Sequence, residues 1–220
     1  MVRVKICGIT NADDARAACE AGADSLGFNF YQGSPRHVIG AEVEKIRAQL
    51  PANVEAVGVF VNAGTSEVAE LCESLRLDAV QLHGDETAQR VSELAARIAV
   101  IKAFRVGPDF LVETLDEYTR AAAFLLDTAE TGQYGGTGHT NDWAVARSAA
   151  RTRRIILAGG LNAENVAAAI QFVRPYGVDV ASGVESAPGK KDQGRVREFI
   201  QEVRRAERVL EAMKEDSVER

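Results

Sequence analysis

Two reactive side chains close the first and the sixth apolar runs of the chain. Cys7 ends the run Val2–Cys7, and Asp127 ends the run Ala123–Asp127. A cysteine thiolate acts as a base or a nucleophile, and a neighbouring cation such as Lys5 favours that form. An Asp that closes an apolar strand is poorly solvated unless it faces the mouth of the barrel, and desolvation would favour the protonated form that donates a proton. The two strand ends therefore predict a thiolate and a proton donor.

Each residue also has a purely structural interpretation. A lone cysteine is often a small core residue, as we expect for Cys19 and Cys72 in helix-like segments. Asp127 could instead cap a neighbouring turn. Alternation along the first strand puts Cys7 on the same face as Lys5, and we expect both to point into the interior because the opposite face is apolar.

Paired glycines follow the last two apolar runs. Gly159 and Gly160 come after the seventh run, and Ser182 and Gly183 come after the eighth. Glycines let backbone N–H groups approach an anion closely, and barrel enzymes often build a phosphate site from the loops after strands seven and eight. Either pair alone could be an ordinary turn. Together they predict a phosphate-binding site.

Other polar residues fall where these runs end. Arg36 follows the second run, where its guanidinium could hold a carboxylate in two hydrogen bonds or be a solvated surface group. His83 and Asp179 lie near the ends of the fourth and eighth runs, as substrate contacts or as neighbours of such contacts. Lys102 could be an inward structural cation. The glycine-rich segment 132–138 is placed as an active-site lid would be.

These residues need a scaffold that brings several strand ends together. Eight short apolar runs alternate with helix-like segments, which predicts parallel strands joined by right-handed crossovers. The strands are predicted at Val2–Cys7, Asp24–Phe30, Val54–Val61, Ala79–His83, Val100–Phe104, Ala123–Asp127, Arg154–Ala158 and Val178–Ala181. The helices are predicted at Asn11–Ala21, Ala41–Leu50, Thr65–Leu75, Thr87–Arg97, Asp109–Arg120, Asp142–Arg151, Ala163–Phe172 and Gly194–Ala206.

Eight such units favour a closed (β/α)8 TIM barrel, an α/β fold of one domain, in which active sites lie at the carboxyl ends of the strands. An open doubly wound sheet is the competing arrangement, but its usual glycine fingerprint is missing from the first turn. We expect the barrel to occupy residues 1–206. Residues 207–220 are predicted to be a helical extension or tail.

The composition narrows the class of protein. With 26 basic and 32 acidic residues the net charge is −6, which argues against nucleic-acid or membrane-surface binding. Three scattered cysteines form neither a disulfide framework nor a zinc motif, and unpaired thiols fit a reducing compartment. The N-terminus reads as a strand rather than a signal peptide. We expect a cytoplasmic protein, a monomer or homodimer, that binds a small-molecule substrate and no metal.

Read together, the strand ends closely resemble those of the phosphoribosylanthranilate isomerase family of tryptophan biosynthesis. The resemblance covers nearly the whole chain, from Lys5-Ile6-Cys7-Gly8-Ile9-Thr10 to Pro188-Gly189-Lys190-Lys191-Asp192. Between these lie, among others, Ser34-Pro35-Arg36, Gln81-Leu82-His83-Gly84, Leu126-Asp127, Gly135-Gly136-Thr137-Gly138, Ala158-Gly159-Gly160-Leu161 and Ser182-Gly183-Val184-Glu185.

The resemblance implies an Amadori rearrangement of N-(5-phosphoribosyl)anthranilate to 1-(2-carboxyphenylamino)-1-deoxyribulose 5-phosphate. It makes Cys7 the general base and Asp127 the general acid. Arg36 would hold the anthranilate carboxylate, and the two glycine loops would hold the phosphate. No cofactor is expected, because the substrate nitrogen itself stabilises the charge that develops.

Two other functions remain open at this point. The histidine-pathway barrel that performs an Amadori rearrangement on a phosphoribosyl-formimino carboxamide has a similar architecture, but carries a carboxylate where Cys7 stands. A catalytically silent barrel, retained for binding or assembly, is the alternative from a different class. The presence of both Cys7 and Asp127 argues against it.

Overall fold

A closed barrel of eight parallel strands is the centre of the molecule. The structure is a computed structural model that describes residues 1–128 and 140–218, and the predicted lid at 132–138 lies outside them. Each strand pairs with its sequence neighbours, and β1 pairs with β8 to close the ring. The strands are β1 Arg3–Cys7, β2 Ser25–Asn29, β3 Glu55–Phe60, β4 Ala79–Leu82, β5 Ala99–Val106, β6 Ala123–Thr128, β7 Ile155–Ala158 and β8 Gly177–Val180. The predicted TIM barrel is confirmed.

Helices cover the outside of the barrel in the described ranges. They are α1 Ala12–Ala21, α2 Gly40–Arg47, α3 Thr65–Leu75, α4 Ala88–Ala95, α5 Thr140–Ala150, α6 Val166–Val173 and α7 Gln193–Val218. Asn11 caps α1, since its side chain accepts a 2.9 Å hydrogen bond from the backbone N–H of Asp14. Acidic residues in the first turn of α1 complement the helix dipole there.

The crossover between β5 and β6 differs from the prediction. A helix over Asp109–Arg120 is wrong: this stretch holds a short 3-10 helix, Val112–Glu117. Pro108 follows Gly107 at its start, and the segment is rich in β-branched and aromatic residues, which have low helix propensity. Aromatic packing holds the crossover instead, because the rings of Phe110 and Tyr118 lie 5.8 and 5.1 Å from that of Phe104.

Alternating residues of each strand face two different environments. Val4 and Ile6 of β1 are fully buried against the surrounding helices, as expected for the outward face. Inward-facing apolar side chains form a separate cluster inside the barrel, made of Val57, Ala79, Ile101, Ala103, Ala123, Leu125, Ile156 and Ala158. Polar side chains replace apolar ones toward the carboxyl ends of the strands. The barrel therefore has a packed interior and a polar mouth.

Two features after β8 complete the architecture. A small antiparallel hairpin, β9 Glu185–Ala187 with β10 Lys190–Lys191, lies at the mouth of the barrel. Beyond the hairpin, α7 returns to the start of the chain. Arg204 donates a 2.8 Å hydrogen bond to the carbonyl of Val2, and Glu207 accepts a hydrogen bond from the backbone N–H of Val2. No helix of residues 1–128 or 140–218 is both long and apolar enough to cross a membrane.

Candidate active site

A cavity of about 450 Å³ opens at the carboxyl ends of the barrel strands. This is the end at which parallel strands present the side chains that follow them. Most of the residues singled out from the sequence line it: Cys7, Arg36, His83, Asp127, Gly159, Gly160, Asp179 and Ser182. Side chains from opposite parts of the chain therefore converge on one space large enough for a small molecule.

Cys7 ends β1 and lies beside a buried ion pair. Lys5 points into the barrel, as alternation predicts, and its Nζ lies 2.9 Å from Oδ1 of Asp179 on β8. Burial would lower the pKa of Lys5, but the charges of Asp179 and Cys7 outweigh it and raise that pKa, so Lys5 is a cation. Burial raises the pKa of the Cys7 thiol, while Lys5 and the more distant Lys191 oppose that rise. Lys5 thus favours the thiolate without cancelling the effect of burial.

Asp127 lies at the end of β6, within reach of His83 at the end of β4. Nε2 of the imidazole is 3.5 Å from Oδ2 of the carboxylate, and both side chains are about one-third exposed. The other ring nitrogen, Nδ1, lies 2.8 Å from the side-chain amide of Gln81. The carboxyl group therefore faces the cavity, with an imidazole as its neighbour.

Arg36 forms a two-point ion pair with Glu185. Its Nε and Nη2 donate hydrogen bonds of 2.8 and 2.7 Å to the two carboxylate oxygens. Lys191, whose side chain is fully buried, contacts the same carboxylate at 2.9 Å. Burial would raise the pKa of Glu185, but hydrogen bonds from Arg36 and Lys191 together lower it. Glu185 is thus an anion that fixes the direction of the Arg36 guanidinium at the cavity wall.

The two glycine loops adopt backbone conformations that side chains would oppose. Gly159 and Gly160 have φ values of +92° and +58°, in the left-handed region. A Cβ at Gly183 would lie 1.9 Å from the carbonyl oxygen of Leu161, so the loop after β8 packs directly on the loop after β7. Asn165 holds the first loop with a 2.9 Å hydrogen bond to the carbonyl of Gly160. The loops after β7 and β8 therefore lie together, and their role in phosphate binding stays a prediction.

Sequence reasoning missed several residues of this region. Gln81 and Arg105 line the cavity, and both lie on the inward face of their strands, a signal that alternation provides. Glu185 and Lys191 belong to motifs of the sequence that give neither residue a role of its own. Lys102 is a structural cation, since it lies 3.0 Å from Glu86 with both side chains buried, but the prediction that it points inward is wrong, because it alternates with the interior residues Ile101 and Ala103.

Within the part of the chain that the structure describes, no cluster of three or more His, Cys, Asp or Glu side chains has the arrangement of a metal site. The side chains that line the cavity include a thiol, carboxyl groups, an imidazole and cations. Such groups can donate protons, accept protons and bind anions.

Known proteins are similar to this chain over nearly its whole length. The model of the N-(5'-phosphoribosyl)anthranilate (PRA) isomerase family matches residues 4–202. The N-(5'-phosphoribosyl)anthranilate isomerase of Pelobacter propionicus is 50% identical over 200 residues, which cover 91% of this chain and 94% of that protein. These similarities span nearly the whole barrel.

Solved structures agree. The phosphoribosyl anthranilate isomerase of Thermotoga maritima superposes with a TM-score of 0.84 at 45% identity, covering 93% of this chain and 99% of its own. A structure of such an isomerase in complex with reduced 1-(o-carboxyphenylamino)-1-deoxyribulose 5-phosphate gives a TM-score of 0.82 at 42% identity, with the same coverage. The chain belongs to the N-(5'-phosphoribosyl)anthranilate isomerase family.

Proposed function

We propose that this chain catalyses the isomerisation of N-(5'-phosphoribosyl)anthranilate in tryptophan biosynthesis, with Cys7 as general base and Asp127 as general acid. The observation that carries the proposal is their convergence on one cavity, which Arg36 and the two glycine loops also line. The substrate has an ionised carboxylate at one end and a phosphate at the other. The cavity offers a guanidinium and backbone N–H groups for such anions.

The reaction opens the sugar ring first. Asp127 donates its proton to the ring oxygen as the bond from that oxygen to C1 breaks. The lone pair of the anilino nitrogen forms a C=N bond to C1, which gives an iminium ion. Because the substrate nitrogen takes up the positive charge, this step uses a proton donor and no other electrophile. A positioned acid of this kind contributes about 10² to 10⁴-fold to the rate.

The second step moves a proton from C2. The iminium ion acidifies that position, and the Cys7 thiolate removes the proton while the C=N electrons return to nitrogen. The resulting enolamine takes a proton at C1 from the Cys7 thiol. Its C2 hydroxyl proton passes to the Asp127 carboxylate, which leaves the ketone. Both groups are then back in their starting protonation states, so the cycle needs no external acid or base.

Binding of the substrate ends completes the proposal. Arg36 holds the anthranilate carboxylate at the rim. The loops that contain Gly159, Gly160, Ser182 and Gly183 hold the phosphate, because backbone N–H groups there can approach it closely. His83 and Asp179 line the space between these ends, where the sugar would lie. Each of these assignments can be tested separately by substitution.

The experiment that tests the function is a fluorescence assay that follows the loss of phosphoribosylanthranilate with the purified protein. We expect turnover of this substrate without an added metal or cofactor. The histidine-pathway phosphoribosyl-formimino carboxamide serves as the comparison. Turnover of that compound alone would refute the assignment.

The cellular setting is also part of the proposal. We assign the protein to the cytoplasm, as a monomer or homodimer that binds its small-molecule substrate and neither nucleic acid nor membrane. The negative net charge and the unpaired cysteines support this assignment. Cell fractionation tests the location, and light scattering of the purified protein after gel filtration tests the oligomeric state.

A further inference from the structure

Gln81 is a buried polar residue that the proposed mechanism does not use. It lies on β4 between Val59 of β3 and Ile101 of β5, on the inward face of the barrel. Its side chain is only 1% exposed, yet it lines the active-site cavity. A buried amide at the floor of a reactive cavity is costly unless its hydrogen bonds are made.

One of those hydrogen bonds reaches His83. Nε2 of Gln81 lies 2.8 Å from Nδ1 of the imidazole, and Nε2 of that ring lies 3.5 Å from the carboxylate of Asp127. An amide N–H₂ group only donates hydrogen bonds, so Nδ1 is the acceptor of the contact with Gln81. A neutral imidazole whose Nδ1 accepts carries its proton on Nε2, the nitrogen that faces Asp127.

The other amide atom remains without a partner. Oε1 of Gln81 is buried and accepts no hydrogen bond from any of the described residues. An acceptor left unsatisfied in this position destabilises the protein, whereas a bound donor group removes that cost. Because Nε2 is committed to His83, the atom offered to a ligand is a carbonyl oxygen. A ligand group that meets it must be a hydroxyl or an N–H.

We infer that Gln81 is a positioning residue with two contacts: its amide N–H₂ holds neutral His83 in the Nε2–H tautomer facing Asp127, and its Oε1 accepts a hydrogen bond from a sugar hydroxyl of the substrate. The inference rests on the proposed function, which supplies a ribose between the anthranilate and the phosphate. A neutral acceptor suits a hydroxyl because it adds no charge beside Asp127 and Cys7.

The hydroxyl contact is tested with ligands. Binding of reduced 1-(2-carboxyphenylamino)-1-deoxyribulose 5-phosphate is compared with that of two analogues, one without the C2 hydroxyl and one without the C3 hydroxyl. The proteins are wild type, Gln81→Met, which has nearly the same volume, and Gln89→Met, an exposed control on α4. We expect wild type and the control to bind one analogue about tenfold more weakly than they bind the parent ligand. Gln81→Met should bind that analogue and the parent ligand equally well.

The contact with His83 is tested by ¹⁵N NMR of the imidazole in the ligand-free protein. We expect wild-type His83, when neutral, to carry its proton on Nε2. Gln81→Glu keeps the shape and an acceptor for the hydroxyl but cannot donate to Nδ1, so we expect Nδ1 to become protonated. Gln89→Glu is the matched control and leaves the spectrum unchanged. The wild-type spectrum tests the tautomer of His83 even if a variant does not fold.

The outcomes separate the two proposals. Two results would overturn the inference while leaving the isomerase assignment intact. One is a neutral wild-type His83 with its proton on Nδ1. The other is that, for each analogue, Gln81→Met loses as much affinity as wild type does. No binding of the parent ligand and no turnover by wild type would instead overturn the proposed function. Circular dichroism of each variant identifies one that fails to fold, and the wild-type imidazole spectrum then still decides the inference.

Discussion

Lys5 and Asp179 are register partners across the β1–β8 seam, and their side chains form a buried 2.9 Å ion pair beneath Cys7. This seam is where the first and last strands of the barrel sheet meet. The same ion pair therefore joins the two strands that close the barrel and sets the charges next to the Cys7 thiol. The charged state of Lys5 is secure, because the carboxylate of Asp179 and the neighbouring Cys7 raise its pKa despite burial.

Replacing Lys5 by Met is expected to move the pH dependence of the reaction. Burial already raises the pKa of Cys7, and Lys5 opposes that rise, so loss of the cation raises the pKa further. The active thiolate forms as pH rises through this pKa, and the rising limb of kcat/KM therefore moves to higher pH. At neutral pH we expect kcat/KM to fall by about tenfold or more, since one pKa unit changes the thiolate fraction tenfold. Initial rates over a pH series measure this.

Two companion variants separate charge from packing. Lys5→Arg keeps a cation and should leave the limb close to that of wild type. Lys5→Met with Asp179→Asn removes both members of the pair, which avoids a lone buried carboxylate that would itself raise the pKa of Cys7. An unshifted limb in Lys5→Met would show that Lys5 has no influence on the reacting base.

Cys7→Ser and Asp127→Asn are each expected to lower kcat by at least about 10², because each removes one proton-transfer group. Both changes nearly preserve side-chain volume, so the fold should remain intact by circular dichroism. Steady-state kinetics with phosphoribosylanthranilate gives the measurement. Cys19→Ser, a change to a thiol on α1, serves as the control. Near-wild-type rates in either test variant would remove the role assigned to that residue.

Arg36→Ala is expected chiefly to raise KM, because the guanidinium is assigned to a part of the substrate that does not react. A substrate analogue without the carboxylate should lose little affinity from the same change. Inhibition constants for the paired ligands measure the difference. If KM for the natural substrate stays the same, Arg36 does not bind the carboxylate.

Glu185→Gln is expected to alter stability in acid. Hydrogen bonds from Arg36 and Lys191 lower the pKa of Glu185 in the folded state, despite the opposite effect of burial. Its contribution is therefore complete above the pKa of an unfolded Glu, about 4.3, and is lost as pH falls through the lower folded value. Near neutral pH the variant should be less stable by about 3 kcal/mol. Urea unfolding across pH 3 to 7 should show the difference shrinking in acid, whereas a constant difference would contradict the assignment.

Truncation tests whether residues 207–220 are a separable extension. Glu207 accepts a hydrogen bond from the Val2 N–H and pairs with Arg204, which also contacts Asp24 at 3.0 Å. A chain ending at residue 206 loses this anchor, and we expect its melting temperature to fall by several degrees. A chain ending at residue 210 keeps the anchor and should melt close to the full-length protein. Equal melting temperatures for all three would mean that Glu207 contributes nothing to the barrel.

The fold and the position of the site followed from local patterns. Alternation in Lys5-Ile6-Cys7 predicts which side chains face the interior, because the strand period is fixed by covalent geometry. The order of strands and helices predicts the barrel, since parallel strands joined by short crossovers have few ways to pack. Strand ends then meet at one mouth, which is why Cys7, Asp127 and the glycine loops could be grouped without a structure.

Contacts between distant parts of the chain were out of reach of these patterns. The pairing of Arg36 with Glu185 spans 149 positions, and no local spacing encodes which carboxylate will meet a given guanidinium. The missing helix before β6 is a second case. There the conformation depends on the packing of Phe104 against Phe110 and Tyr118, a contact that the charged residues of this stretch do not reveal.

The meeting of α7 with the start of the chain has a consequence for biosynthesis on the ribosome. β1 is the first strand of the barrel to emerge, whereas its β8 partner and the Arg204 and Glu207 side chains that bind Val2 follow only after the other six strands. Until then one edge of β1 has no neighbour, and an unpaired edge is a template for association with other chains. The nascent protein must therefore protect the first strand of its barrel until β8 has been made.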